Sequence, residues 1–261
     1  MARVENGNCG TRTYDPPGGR VVGGRPAERS EYPWQVGIQL KEGDGYLIRG
    51  GGVILNKRWI LTAAHVFLSD DKLEDYRGLI GVTKLDEEPI IVKFDKLIKH
   101  EDYADDPGVF ENDIALLHTT EDMPLLPKVD NVNSICLPRK NELFKGKVAV
   151  TGWGVTNEQG SESNTLMTVD IRILPDKVCE RNFKEYFVKK IMTCAGKLSG
   201  GKDSCRGDSG GPLVQKSAEN GRFYLVGVVS FGGYQKCARR GSGASYTKVP
   251  YYVDWIQKRI N

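Results

Sequence analysis

The sequence predicts an all-β protein, a barrel or a sandwich, ending in one helix. Three observations carry this. Short runs rich in β-branched and aromatic residues recur between glycine-bearing turns. Val92 and Phe94 alternate with Lys93 and Asp95, the period-two pattern of a strand with one buried face. Only after Pro250 does the period lengthen, with Tyr252, Ile256 and Ile260 at i, i+4 and i+8 on one face of a helix.

Taken in order, residues 1–20 are rich in Gly, Pro and Asn and show no period. Asp15-Pro16-Pro17-Gly18-Gly19 is turn and linker chemistry, expected to be exposed and open to proteolysis. The composition changes at Arg20-Val21-Val22-Gly23-Gly24, which divides the chain into a linker, 1–20, and a folded domain, 21–261. From Pro33 onward the strand-like runs begin, among them 52–55, 59–62, 147–151 and 224–229. Many short strands broken by glycine turns suit a closed or double-layered sheet. Residues 67–78 and 156–164 read as exposed loops.

Bulk properties exclude several function classes. With 39% hydrophobic and 27% charged residues among 261, the chain can bury one or two cores and is not disordered as a whole. The net charge of +3 is too small to imply a nucleic-acid partner, and the cluster Lys236, Arg239, Arg240 is a short solvated loop. No apolar run approaches the ~18 residues needed to span a bilayer, so no membrane partner is expected. Met1 to Asn6 lack the apolar core of a signal peptide, whereas the cysteines favour export. The sequence therefore reads as the end of a longer secreted, extracellular precursor.

The cysteines are Cys9, Cys136, Cys179, Cys194, Cys205 and Cys237. Their even number and the lack of a C-x-x-C pair argue for disulfides rather than a zinc or redox site, with connectivity open. No metal cluster is evident, Asp86-Glu87-Glu88 is a solvated acidic turn, and no cofactor is expected. No Asn-x-Ser/Thr sequon is present.

The most informative stretch is Gly207-Asp208-Ser209-Gly210-Gly211-Pro212. Glycines there allow a tight turn that presents amide N–H groups to an oxyanion. A serine hydroxyl needs a base to become a nucleophile at neutral pH. The candidate bases are His65, His100 and His118. His65 ends Leu61-Thr62-Ala63-Ala64-His65, where small residues leave room around an imidazole. His100 lies among Lys99, Glu101 and Asp102 and reads as solvated, and His118 as a strand-end residue. Asp113 enters the apolar run Ile114-Ala115-Leu116-Leu117, where a carboxylate needs partners to offset desolvation.

Together, Thr62-Ala63-Ala64-His65, Asn112-Asp113-Ile114-Ala115-Leu116 and Gly207-Asp208-Ser209-Gly210-Gly211 resemble the chymotrypsin-like serine proteases, in that family's chain order. The resemblance runs from about Val21 to Ile260. It implies two six-stranded antiparallel β-barrels with a C-terminal α-helix and the site in the cleft between them. It also implies a secreted endopeptidase with Ser209 as nucleophile, His65 as base and Asp113 as orienting acid, the oxyanion held by the amides of Gly207 and Ser209. Asp203 would form the floor of the primary pocket and select a protein substrate with Arg or Lys before the cut. Ser230 and Gly232 would lie along the substrate backbone. Ala244, at a wall position that is glycine in trypsin-like relatives, would narrow the pocket. Cleavage between Arg20 and Val21 by an activating protease would free the Val21 amine to pair with Asp208, so the intact chain would be a zymogen.

The same resemblance implies the bridges Cys9–Cys136, Cys179–Cys194 and Cys205–Cys237. Two common family bridges are missing, with Gly50 and Val66 at one and Val148 and Gln215 at the other. This double absence resembles the group formed by the complement proteases C1r and C1s and the mannan-binding-lectin-associated serine proteases. It implies upstream CUB and complement-control modules, a proteolytic cascade of innate immunity, and a serpin as the expected inhibitor. The rival reading is a protease-like binding protein, but such proteins usually lose Ser, His or Asp, and here all are present. A trypsin-like protease of another cascade is the second alternative.

Overall fold

The computed structural model describes residues 7–16, 24–104, 110–155, 162–200, 207–232 and 243–261. Strands β2 (Gln35–Glu42), β3 (Gly45–Ile54), β4 (Trp59–Thr62), β5 (Tyr76–Ile80), β6 (Ile90–Lys99) and β7 (Ala115–Thr119) close a barrel in the order β2-β3-β4-β7-β6-β5. A second set contains β8 (Lys147–Gly152), β9 (Met167–Ile173), β10 (Met192–Gly196), β11 (Pro212–Lys216), β12 (Phe223–Gly232) and β13 (Ala244–Lys248). These run β9-β10-β13-β12-β11-β8, and pairing of β8 with β9 closes them; the short β1 (Arg25–Pro26) adds to β9. All the pairings are antiparallel. This is the two-barrel architecture the resemblance implies.

Side-chain alternation explains the first barrel. Val36 and Ile38 of β2, Ile60 of β4 and Leu116 of β7 are fully buried in one core. Along β6, Val92 and Phe94 are buried while Lys93 and Asp95 face solvent, as the sequence period requires. Closure removes the unpaired edges that an open sheet would expose. The chain ends in α2 (Val249–Ile260), preceded by α1 (Asp176–Phe183). Pro250 lies in the first turn of α2, where its missing N–H costs nothing, and Tyr252 and Ile256 are buried.

Residues 1–20 read as linker in the sequence, yet residues 7–16 dock on the domain. Cys9 is 1% exposed and bonded to Cys136, with 4.9 Å between their Cα atoms. Gly10 donates its N–H to Ser134 O at 2.7 Å and accepts from Phe223 N at 2.9 Å. At its φ of +66°, any Cβ would stand 2.3 Å from Phe223 O, so only glycine fits. Part of the expected 67–78 loop is also structured. Phe67 and Tyr76 are buried and their rings pack at 4.7 Å, because Tyr76 begins β5.

Candidate active site between the barrels

His65 sits in a single 3-10 turn, Ala64–Val66, directly after β4. Ala63 and Ala64 are fully buried, so their small side chains let this turn press into the protein. Asp113 precedes β7 and is 0% exposed. Its Oδ1 accepts the His65 backbone N–H at 3.0 Å, and its Oδ2 meets His65 Nδ1 at 2.7 Å. The second barrel completes the clamp. Ser230 on β12 donates its hydroxyl to Asp113 Oδ2 at 2.5 Å, and Thr247 on β13 donates to the Asp113 carbonyl at 2.6 Å. Asn112, at φ +55°, is held by the Tyr252 hydroxyl of α2 at 2.8 Å.

These contacts set the electrostatics. Burial alone would favour a neutral His65 ring, but the Asp113 carboxylate, by its charge and its hydrogen bond, raises the imidazole above its ordinary value. Burial alone would raise the Asp113 carboxyl. The facing imidazolium charge and the hydrogen bonds from His65 and Ser230 hold it below the usual carboxylate range instead. His65 remains 24% exposed, so its outer nitrogen edge can face a cleft.

The glycine-flanked serine sits in a turn held by both barrels. The Ser209 carbonyl accepts the N–H of Gly51 on β3 at 2.7 Å, and Gly210 donates its N–H to Val229 O on β12 at 2.8 Å. A Cβ on Gly210 would stand 2.2 Å from Thr62 Oγ1 and 3.2 Å from Ala63 N, at φ +79°. The turn carrying Ser209 is thus packed onto the residues leading into His65, which only glycine permits. Gly207 adopts φ +91°. Among the described residues, no acceptor takes the N–H of Gly207 or Ser209. Asp208 Oδ1 accepts the Gly154 N–H at 3.0 Å, and a Cβ on Gly152 would lie 2.0 Å from the same oxygen.

The other two histidines are engaged elsewhere. His118 contacts Asp95 at 2.6 Å and accepts from Arg58 Nε at 3.3 Å. His100 is less solvated than its neighbours in sequence suggest, stacked on Trp255 at 5.1 Å because α2 folds back over it. The Ser230 hydroxyl is directed at Asp113. Gly232 is exposed, with no atom of the described residues within 4 Å of a Cβ position, and it pairs across the sheet with the buried Ala244. Arg20, Val21, Asp203, Cys205 and Cys237 lie outside the described residues. Cys179 and Cys194 form a disulfide. Gly50 faces Val66, with 3.0 Å from its Cβ position to Val66 Cγ2. Gln215 donates to the carbonyls of Lys145 and Lys147, beside Val148.

Sequence reasoning missed an aromatic group next to His65. Phe110 stacks on Phe231 at 4.4 Å, Phe183 meets Phe231 edge-on at 5.3 Å, and Phe110 meets the His65 ring at 6.5 Å. The three phenylalanines come from distant stretches with no shared period, so no local signal links them. Gly152 and Gly154 gain their meaning only from Asp208. No helix among the described residues is long and apolar enough to cross a membrane.

Known proteins resemble this chain along most of its length. The family model described as Trypsin matches residues 21–256. The chain is 35% identical to Transmembrane protease serine 11C of Mus musculus over 256 residues, covering 96% of this chain and 56% of that protein. It is 34% identical to Transmembrane protease serine 11G of Mus musculus over 262 residues, covering 99% of this chain and 60% of that protein. The chain therefore spans little more than half the length of these relatives. Neither bears the name of a complement protease. With the family model covering nearly the whole folded chain, on two closed barrels, the chain belongs to the trypsin family of serine endopeptidases.

Proposed function

We propose that this domain hydrolyses peptide bonds after Arg or Lys through an acyl-enzyme formed on Ser209. The observation that carries the reading is the 2.7 Å contact between His65 Nδ1 and the fully buried Asp113 carboxylate. Only the Nδ1–H tautomer can donate to Asp113, which leaves Nε2 as the base. His65 takes the Ser209 proton as Oγ attacks the scissile carbonyl, then gives it to the departing amine; water repeats the sequence to release the acid. Asp113 orients the ring and stabilises the imidazolium. The amides of Gly207 and Ser209 hold the oxyanion, one such donor being worth ~3 kcal/mol of barrier.

Asp203 gives the primary pocket its charge in this reading, since a buried carboxylate left unpaired by a neutral side chain is costly. Ala244 walls that pocket, and Gly232 lies along the substrate backbone. Cutting after Arg20 frees the Val21 amine to pair with Asp208 and order the site. The bridge between Cys9 and Cys136 would keep the severed segment attached. The domain works outside the cell, where disulfides persist. The two absent family bridges support a secreted, complement-type cascade protease with CUB and complement-control modules upstream, an activating protease and a serpin inhibitor. A membrane-anchored extracellular protease is the second reading, favoured by the 35% and 34% identities to proteins named as transmembrane proteases.

The test is to incubate the Arg20-cleaved protein with peptides carrying Arg, Lys or Phe before the cut. Cleavage after Arg and Lys alone is expected. Cleavage after Phe but not Arg would overturn the role of Asp203. Failure of Ser209 to react with an active-site-directed phosphonate would overturn the triad. Recovery of the full-length protein from the medium or from the membrane fraction separates the two settings.

A further inference from the structure

Phe110 meets the His65 ring, with Phe231 stacked on Phe110 and Phe183 edge-on to Phe231. In the turn that carries Ser209, a Cβ on Gly207 would lie 2.8 Å from Gly154 Cα and 3.5 Å from a carboxylate oxygen of Glu162. Glu162 is fixed there by an antiparallel bridge to Val155, one residue beyond the glycine that binds Asp208. Its side chain is open to solvent, and among the described residues no cation or hydrogen-bond donor engages it. An acid without a partner, a few ångströms from a proposed oxyanion donor, has one chemical use that its position favours, which is to meet a cation on a bound chain.

The direction of the substrate decides where that cation must be. A backbone laid along Ser230 to Gly232 of β12 puts residues before the cut over Phe231 and its neighbours. Gly207 and Ser209 hold the scissile carbonyl, so the residues after the cut depart past Gly207 and Glu162. We infer that Glu162 is a specificity-determining residue for the leaving-group side, selecting Lys or Arg within two residues after the cleaved bond. This rests on the endopeptidase reading above.

The experiment uses the chain cleaved after Arg20 and matched peptides with Arg before the cut. They carry Lys, Arg or Gln in the two following positions. Assays at pH 8 keep Glu162 ionised, since partial burial raises its carboxyl above the ordinary value. Phosphonate titration of Ser209 corrects for active fraction. The parent should favour the basic peptides by about two- to fivefold in kcat/KM, the range of a solvent-exposed ion pair. Glu162→Gln should bring that ratio to about one, Glu162→Lys should invert it, and salt should flatten it in the parent. A basic-to-neutral ratio unchanged in Glu162→Gln would overturn the assignment while leaving the endopeptidase reading intact. Failure of the parent to cut any of the peptides would overturn that reading and this inference with it.

Discussion

Replacing Ser230 with Ala tests how the second barrel holds the acid of the first. Three hydrogen bonds reach the Asp113 carboxylate, two from His65 and one from the Ser230 hydroxyl at 2.5 Å. Asp113 and Ser230 are both buried, so water does not freely replace the lost donor. A hydrogen bond to a charged group contributes about 1.5–3 kcal/mol, so the variant should lose about 2 kcal/mol. For a domain of this size that lowers Tm by about 4–8 °C at pH 7. The sign of the pH dependence follows from Asp113. Its carboxyl is held below the ordinary value, so its contribution to stability is present above the unfolded pKa and lost as pH falls through the folded one. Ser230→Ala removes part of that contribution, and the gap in Tm should narrow once the pH drops below the ordinary carboxylate range. Thermal unfolding followed by circular dichroism at neutral and acid pH reads both effects. A Tm within about 1 °C of the parent at pH 7, or a gap that widens in acid, would refute the reasoning.

Two further kinds of substitution probe the site from other directions. Asp113→Asn should lower kcat by about 10⁴-fold, because an amide facing Nδ1 favours the wrong tautomer. Since His65 must be neutral to act as base, parent kcat/KM should fall as pH drops through its raised pKa, and the pH–rate profile of Asp113→Asn should place that limb lower. Gly210→Ala forces a side chain to within 2.2 Å of Thr62 Oγ1 at positive φ and should unfold the domain or cost several kcal/mol. Gly232→Ala meets nothing within 4 Å among the described residues and should leave Tm unchanged while raising KM, since Gly232 is proposed to lie along the substrate backbone. Equal Tm losses in the two glycine variants would contradict the packing described.

How legible the fold and site are in one dimension differs by residue. The β6 alternation and the α2 stripe are periodic, and periodicity survives along a linear chain, so both stand where the sequence places them. His65 and Asp113 are marked by small or apolar neighbours, a local trace of the burial that each requires. Ser230 reads in sequence as part of a strand along the substrate backbone; that its hydroxyl also holds Asp113 is signalled by nothing beside it in the chain. Gly10 looks like linker because polar, glycine-rich segments give no pattern when they dock through backbone hydrogen bonds.

Composition, strand and helix periods and three short motifs thus determined the fold class, the reactive side-chain types and their order along the chain. Only the tertiary structure decided that β12 and β13 of one barrel clamp the acid of the other. It alone brought Phe110 beside His65, with Phe231 and Phe183 packed behind it, and set Glu162 against Gly207. Motifs record which groups must be present. Burial, facing direction and charge environment arise from contacts between residues far apart in the chain, and those exist only once both barrels have closed.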